Sequence, residues 1–490
     1  MILLSDIAKA VGGQLIGQDI LCESVGSDSR NISKNQLFVA IKGENFDGNR
    51  YAVEAIQQGA AAVLVSDANT QAKPAVLVKD TRLALGELAK YWRNQFKLPW
   101  FKLSLVAITG SSGKTTVKEM LAAILNAVES PATDVITSAS LAVLATQGNL
   151  NNDIGMPMTL LRLNGQHKFA VIEMGMSHLG EIDYLTRIAQ PNVAVINNAG
   201  TAHIGEVGSR ENIAKAKGEI FAGLGNDGIA VINADDAFAD YWKSLNLNKQ
   251  DNNKQENHRK IIMFGLDTKA DVTATYQEID GASQIQLTTP NGNIDFKLAL
   301  LGKHNISNAL AASACAVALG VANADIVRGL AGFSAVKGRL QRKTGLNGAK
   351  LIDDTYNANP DSMKAAIDVL AQQIGKRIFV MGDMGELGAD ALEMHAEIGA
   401  YAKQKGVDQL LALGENSVHT VQVFGTNAMH YVSLQALLDA AAGLMQKDAT
   451  VLVKGSRFMQ MERVVNALEI DVLVEKTTSQ IMMQKMLEEN

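Results

Sequence analysis

The chain of 490 residues has few cysteines, no excess of basic residues and no long apolar run, and each absence excludes a class of protein. Its two cysteines, Cys22 and Cys315, lack CxxC spacing, so neither a disulfide framework nor a thiolate metal site is expected. Lysine and arginine total 45 against 51 acidic residues, which argues against nucleic-acid binding. No apolar run reaches about 18 residues, so no membrane insertion is expected.

What the chain does contain is typical of a globular enzyme. Hydrophobic residues make up 47% and charged residues 20%, and the length suggests three domains of roughly 150 residues. The N-terminal segment carries the early acid Asp6 and predicts a short amphipathic helix, not a signal peptide. The expectation is a cytoplasmic protein, and its acidic charge without coiled-coil heptads favours a monomer.

Strand and helix patterns alternate along the chain, which predicts an α/β protein of three domains. Residues 1–102 are expected to form a small α/β domain that ends in a linker at 97–100. Residues 103–333 are expected to form a P-loop-type, mostly parallel sheet, with an antiparallel flap between 271 and 300. Residues 334–490 predict a Rossmann-like, doubly wound sheet. Functional groups are expected at the carboxyl ends of the parallel strands.

The strongest local signal is LVAITGSSGKTTVKEM at 105–120, a strand, a glycine-rich turn and a helix. Glycines let backbone N–H groups approach phosphate oxygens at a helix N-terminus. Lys114 would neutralise phosphate charge and Thr115 would offer a hydroxyl to Mg²⁺. Ile108 replaces the first glycine of the general pattern, and the alternative is a plain strand–helix turn. The predicted loop comprises Thr109, Gly110, Ser111, Ser112, Gly113, Lys114, Thr115 and Thr116.

Three further residues in the central part are candidates for a metal site. Glu173 ends a predicted strand and suits Mg²⁺, although such an acid can instead cap a turn. His203 follows a strand and is either a metal ligand or a surface residue. Lys217 lies on a predicted helix; it either faces solvent or, if desolvated, reacts with CO₂ to give a carbamate that ligates Mg²⁺.

Four more residues are candidates for nucleotide contacts. Asn305 and Asn308 share a helix face and suit an adenine edge, whereas Asn305 could equally be an N-cap. Arg339 could clamp a γ-phosphate or form a surface salt bridge. Asp354 ends a strand, where an acid can accept hydrogen bonds from ribose hydroxyls.

Taken together, the motifs resemble the Mur ligase family of ATP-dependent amide-forming enzymes, and the resemblance covers essentially the whole chain. It also explains Ile108, because TGSSGKT is that family's phosphate loop. The motifs are SDSR (27–30), LFVAIKGENFDG (37–48), GNLNNDIGMP (148–157), IEMGMSH (172–178), NNAGTAH (197–203), AKAKGEIF (214–221), GKHNISNA (302–309), KGRLQR (337–342), DDTYNANPDSM (353–363), GDMGELG (382–388) and KGSRFMQME (454–462).

The resemblance implies an ATP- and Mg²⁺-dependent reaction through an acyl phosphate. NANP at 357–360 is typical of the member that joins D-alanyl-D-alanine to UDP-N-acetylmuramoyl-tripeptide, and the D-N-P-R of the diaminopimelate-adding member is absent. The third domain is expected to close over the central one, since the intermediate must be kept from water. The alternatives are another ligase of the superfamily, such as a folylpolyglutamate synthetase, or a P-loop ATPase switch.

Carried over residue by residue, the resemblance assigns ATP phosphates and Mg²⁺ to Lys114, Thr115, Glu173 and His203, and the carbamylated position to Lys217. It assigns adenine to Asn305 and Asn308, and phosphate and ribose contacts to Arg339 and Asp354. Asn35 stands where a turn glycine is common, and Asn tolerates left-handed turns. The implied substrate contacts are Ser29, Arg30, Lys42, Gly43, Asn45, Phe46, Asp47, Asn149, Asn151, Asn152, Tyr356, Asn357, Asn359, Ser456 and Arg457.

Overall fold

The computed structural model describes residues 1–98, 101–129, 142–247, 259–279 and 281–470, in which strand–helix units build three successive α/β regions. Part of the predicted linker (99–100) and the end of the predicted third domain (471–490) lie outside the described residues. Within the described ranges, no helix is long and apolar enough to cross a membrane.

The N-terminal region contains a five-stranded sheet in the order β2-β7-β6-β5-β4, parallel except for β2 against β7. Asn35, just before β5, has φ 61°, the left-handed conformation predicted for it. The elements are β1 (Ile2–Leu3), α1 (Leu4–Ala10), β2 (Gln14–Ile16), β3 (Leu21–Cys22), β4 (Ser24–Gly26), β5 (Gln36–Val39), α2 (Ala52–Gln57), β6 (Ala62–Val65), β7 (Ala75–Leu77) and α3 (Thr81–Gln95).

The central region is built on a six-stranded, wholly parallel sheet and carries an antiparallel three-stranded flap, as predicted. Its elements are β8 (Ser104–Thr109), α4 (Lys114–Glu129), β9 (Val143–Ala145), α5 (Gly155–Leu160), β10 (Phe169–Glu173), α6 (Glu181–Ala189), β11 (Val193–Ile196), α7 (Ile204–Val207), α8 (Arg210–Gly218), β12 (Ile229–Asn233), α9 (Ala239–Ser244), β13 (Lys260–Phe264), β14 (Thr273–Ile279), β15 (Ala282–Thr289), β16 (Gly292–Leu298), α10 (Lys303–Ala318) and α11 (Asn323–Ala331).

Strand β8 shows why this sheet is buried on both faces. Val106 and Ile108 pack with residues of α4, α10 and α11, whereas Leu105 and Ala107 pack with residues of α5, α6 and α8. A continuous apolar run suits a central parallel strand that is covered by helices on each side. The sheet order β13-β12-β11-β8-β10-β9 places β10 and β11 beside β8, so the carboxyl ends of these three strands share one edge.

The C-terminal region is a second doubly wound sheet, in the order β17-β18-β22-β19-β20-β21, with only β17 antiparallel. Its elements are β17 (Gln341–Thr344), β18 (Lys350–Asp354), α12 (Pro360–Ala371), β19 (Lys376–Gly382), α13 (Ala391–Gln404), β20 (Gln409–Leu413), α14 (Ser417–Phe424), β21 (Ala428–Tyr431), α15 (Leu434–Leu444), β22 (Ala449–Lys454) and α16 (Glu462–Leu468). The carboxyl edge of this sheet faces that of the central sheet.

Candidate active site

A cavity of about 1500 Å³ lies between the carboxyl edges of the central and C-terminal sheets. It exceeds the roughly 300–1,000 Å³ of a site for one small molecule, so it has room for more than one substrate. Several buried polar atoms of cavity-lining residues have no hydrogen-bond partner within the described part of the chain, among them Ser111 Oγ, Asn197 Oδ1 and Arg339 Nε. Buried polar atoms are normally paired, so these atoms are available to a ligand.

The predicted phosphate loop forms the floor of the cavity between β8 and α4. Gly113 has φ 81°, and a Cβ there would lie 2.2 Å from Asn308 Oδ1, so glycine is required. Lys114 begins α4 and its Nζ donates to the Gly110 carbonyl at 2.7 Å. Burial lowers the pKa of Lys114, and Glu173 opposes that shift. A bound phosphate would act as Glu173 does and stabilise the charged ammonium.

Two asparagines that follow β11 hold the phosphate loop in place. The Asn198 Oδ1 accepts from Ser112 N at 2.9 Å, and Asn197 Nδ2 donates to Ser112 O at the same distance. Asn197 Nδ2 also donates to Asn308 Oδ1 at 2.9 Å, which ties α10 to the loop. Sequence reasoning did not single these asparagines out, although their place directly after a parallel strand was a usable signal.

Glu173, at the end of β10, is a buried carboxylate beside the phosphate loop. Its Oε2 accepts from Thr115 Oγ1 at 3.0 Å, and its Oε1 accepts from Asn151 Nδ2 at 2.7 Å. It therefore does not cap a turn, and that alternative is wrong. The described residues contain no group of three or more His, Cys, Asp or Glu residues that could hold a metal ion. Mg²⁺ commonly takes one or two carboxylates, waters and substrate phosphates, so Thr115 and Glu173 fit an ion that arrives with a nucleotide.

His203 lies on the cavity wall just before α7. Its Nδ1 is 2.7 Å from Glu386 Oε2 of the C-terminal region, and its side chain is 21% exposed. It is therefore not an isolated surface residue. The contact with His203 is the main cause that lowers the pKa of Glu386.

Lys217 lies behind the cavity wall on α8 and is 2% exposed. The alternative of a solvated face is therefore wrong for Lys217, while Lys215 is exposed. Burial, followed by repulsion from Lys114, lowers the pKa of Lys217 well below its ordinary value. An uncharged amine is favoured by this environment, and it is the form that reacts with CO₂.

Asn305 and Asn308 both line the cavity at the first turns of α10. The N-cap of α10 is Gly302, so the alternative that Asn305 caps the helix is wrong. Asn305 Nδ2 instead donates to Leu301 O at 2.8 Å, and its Oδ1 lies 3.4 Å from Asn308 Nδ2. The two side chains form one amide network on the cavity wall, as their spacing predicted.

Arg339 reaches from the C-terminal region to the phosphate loop. Its Cζ lies 4.1 Å from the Tyr356 ring centroid and its Nη2 is 3.4 Å from Thr115 Oγ1, so the surface salt bridge alternative is wrong. Asp354 is buried: its Oδ2 accepts from Lys454 Nζ at 2.6 Å and its Oδ1 from Leu340 N at 3.2 Å. Burial lowers the pKa of Lys454, against the effect of Asp354.

The predicted substrate contacts divide into three groups. Ser456 is buried behind the wall, where its hydroxyl donates to Ala358 O and accepts from Gly385 N, so it supports a loop. The residues on the wall are Asn149, Asn151, Asn152, Tyr356, Asn357, Asn359 and Arg457. The residues on the N-terminal region, away from this cavity, are Ser29, Arg30, Lys42, Gly43, Asn45, Phe46 and Asp47.

The fold and the cavity define the class of protein: a multidomain enzyme with a phosphate loop that works between two parallel sheets. Three family models match the chain, the Mur ligase family catalytic domain at 22–93, the Mur ligase middle domain at 108–316 and the Mur ligase glutamate ligase domain at 338–457. The chain belongs to the Mur ligase family, as its motifs predicted.

Individual relatives are similar over nearly the full length. The UDP-N-acetylmuramoyl-tripeptide–D-alanyl-D-alanine ligases of Escherichia coli and Haemophilus influenzae are each 42% identical; the matches cover 96% of this chain and 98% and 99% of theirs. A MurF crystal structure from Acinetobacter baumannii has 36% identity and a TM-score of 0.84, covering 94% of this chain and 97% of that one. MurF from Thermotoga maritima in complex with ADP has 27% identity and a TM-score of 0.78, covering 92% and 98%.

Proposed function

We propose that this enzyme joins D-alanyl-D-alanine to UDP-N-acetylmuramoyl-tripeptide with the conversion of ATP to ADP and phosphate. The relatives of 42% identity bear the name of this ligase, and a structure in the same group is in complex with ADP. The observation that carries the proposal is the convergence on Thr115, whose hydroxyl meets Glu173 from β10 and Arg339 from the opposite region. The product is the UDP-muramoyl-pentapeptide precursor of peptidoglycan.

The reaction needs an activated acid, because a carboxylate oxygen is too poor a leaving group for attack by an amine. Transfer of the γ-phosphoryl group to the terminal carboxylate of the tripeptide releases ADP and gives an acyl phosphate. The dipeptide amine then attacks the acyl carbon, loses a proton and expels phosphate. Lys114 and Arg339 offset negative charge during these steps and position the reacting groups.

A divalent cation completes the proposed site. Thr115 and Glu173 supply the oxygen ligands that Mg²⁺ prefers, and the resemblance adds His203. Bound there, Mg²⁺ would neutralise phosphate charge. We propose that Asn305 and Asn308 face the adenine, and that Asp354 and Lys454 lie near the ribose and phosphates.

The proposed substrate path runs from the N-terminal region to the cavity. Ser29, Arg30 and the Lys42–Gly48 loop would bind the UDP-sugar, with Asn149, Asn151 and Asn152 nearby. We keep the division into 1–102, 103–333 and 334–490 as the proposed domains. We keep the expectation of a monomer, which rests on the acidic net charge and the absence of coiled-coil heptads in the sequence.

Phosphate release with purified substrates tests the proposed function. We expect ATP-dependent phosphate release with UDP-N-acetylmuramoyl-tripeptide only when D-alanyl-D-alanine is present, together with a pentapeptide product that mass spectrometry detects. Single amino acids, used in place of the dipeptide, serve as the control acceptors. Product with glutamate or diaminopimelate but not with the dipeptide would indicate another ligase of the family, and release without any acceptor would indicate an ATPase.

A further inference from the structure

Glu386 lies in the loop after β19, yet it makes two contacts with the central region. Its Oε2 is 2.7 Å from His203 Nδ1. Its backbone carbonyl accepts from Gly205 N at 3.1 Å. One residue of the C-terminal region therefore contacts both the His203 side chain, just before α7, and the backbone of Gly205 within α7.

The backbone on both sides of this contact is unusual. Glu386 has φ 63° and His203 has φ 64°, the left-handed region that residues other than glycine rarely adopt. Such residues persist where the surrounding structure holds them, and they are concentrated at functional sites. Close packing accompanies them, because a Cβ on Gly205 would lie 2.3 Å from Gly388 N.

The loop that carries Glu386 is fixed to the interior of the C-terminal region. Met384 N donates to Nε2 of the fully buried His395 at 3.0 Å, and Gly385 N donates to Ser456 Oγ at 2.8 Å. Ser456 is itself buried. Glu386 is therefore presented in one position relative to the C-terminal sheet, and its contact with His203 depends on how the two regions are docked.

The contact leaves one nitrogen of His203 for the cavity. A carboxylate on Nδ1 fixes the orientation and tautomer of the imidazole, so Nε2 remains as the acceptor. Glu386, His203 and Lys114 of the phosphate loop all line this cavity. The side chain of Glu386 is 51% exposed and lines the same cavity.

We propose that Glu386 is a positioning residue for the ligase reaction, which holds the His203 imidazole in its working orientation only when the C-terminal region is docked on the central one. The proposal rests on the proposed function for the reaction that it serves. In this proposal Glu386 acts through His203. Phosphoryl transfer therefore depends on docking of the C-terminal region on the central region.

A double-mutant cycle tests this role. Glu386→Ala should lower kcat roughly 10- to 100-fold, the usual cost of removing the partner of a ligating histidine. The KM values for ATP and the UDP-tripeptide should stay within roughly threefold. Glu386→Gln keeps a hydrogen-bond acceptor and should restore part of the loss. Asp390→Asn, an exposed acid four residues along, is the matched control.

If Glu386 acts through His203, adding Glu386→Ala to His203→Ala should cause no further loss. An equal further loss in both backgrounds would overturn the proposal. Crystal structures of the wild type and Glu386→Ala give a readout that needs no turnover: we expect the His203 ring to leave its position, and an unmoved ring would also overturn the proposal. Absence of product from the wild type would contradict the proposed function instead.

Discussion

At the scale of single residues, Lys114 is the side chain that we expect to matter most for the proposed phosphoryl transfer. Its ammonium is folded onto the Gly110 carbonyl within the phosphate loop, and burial alone would disfavour its charge. An incoming triphosphate would add negative charge that stabilises the ammonium. The hydrogen bonds that join the loop to Asn197 and Asn198 do not involve the lysine.

We expect Lys114→Ala to lower ligation by at least about 100-fold, as loss of a charge-stabilising donor does, with the fold intact. Phosphate release with all three substrates measures the first effect, and circular dichroism measures the second. Lys215→Ala removes an exposed lysine and is the matched control. Normal turnover by Lys114→Ala would contradict the assignment of the phosphate site.

The positions of residues were predictable from sequence where a motif fixes local geometry. The phosphate loop, Glu173 at a strand end and the left-handed Asn35 follow from rules that operate over a few residues. The contact of His203 with Glu386 could not be predicted in this way, because Glu386 is 183 positions away and meets His203 only where the two sheets are docked. The burial of Ser456 was missed for the same reason, since neighbouring loops cover it.

At the scale of elements, the start of α10 is a junction between the central and C-terminal regions. The ring of His304 lies close to Gly302. The charge of Asp354 raises its pKa and the charge of Lys454 lowers it, both from across the junction. Burial is the main cause that lowers the pKa of His304 from 6.5 to about 4. The folded protein therefore keeps this imidazole neutral at pH values where the unfolded chain is protonated.

This difference predicts a loss of stability in mild acid. Between the unfolded pKa of 6.5 and the folded pKa of about 4, the unfolded state binds more protons, so the free energy of unfolding falls as the pH falls. His304 should account for a loss of about 2 kcal/mol from pH 7 to pH 5. Urea unfolding at both pH values should show a smaller loss in His304→Gln than in the wild type.

The exposed His178 provides the control, since His178→Gln should keep the wild-type pH dependence. Equal losses in the wild type and His304→Gln would show that the folded protein does not lower the pKa of this imidazole.

The position of α10 was predicted from sequence, but its N-terminus was not, because Asn305 is as good a cap as Gly302 by residue type. The side chain of Asn305 bonds instead to Leu301 and Asn308, four and three residues away, and does not cap the helix.

At the scale of the whole molecule, the order of three α/β regions and the parallel sheets were predictable, because alternating strands and helices leave few topologies. The docking of the C-terminal region was not, since it depends on contacts between distant segments. Thr201 N donates to Asp361 Oδ2 at 2.7 Å, and Asn359 Nδ2 donates to Ser112 Oγ at 3.2 Å. These contacts join the two regions beside the cavity, and we expect further closure there to exclude water from an acyl phosphate.

A close backbone contact between the central and C-terminal regions suggests a substitution that would separate them. A methyl group at Gly205 would lie 2.3 Å from Gly388 N, so Gly205→Ala must push the two backbones apart. We expect a larger radius of gyration in small-angle scattering and slower ligation, with ATP still bound by the phosphate loop. Gly443→Ala adds a methyl group with nothing within 4 Å and is the matched control. The same envelope for Gly205→Ala and the wild type, with ATP and the UDP-tripeptide present, would contradict closure through this contact.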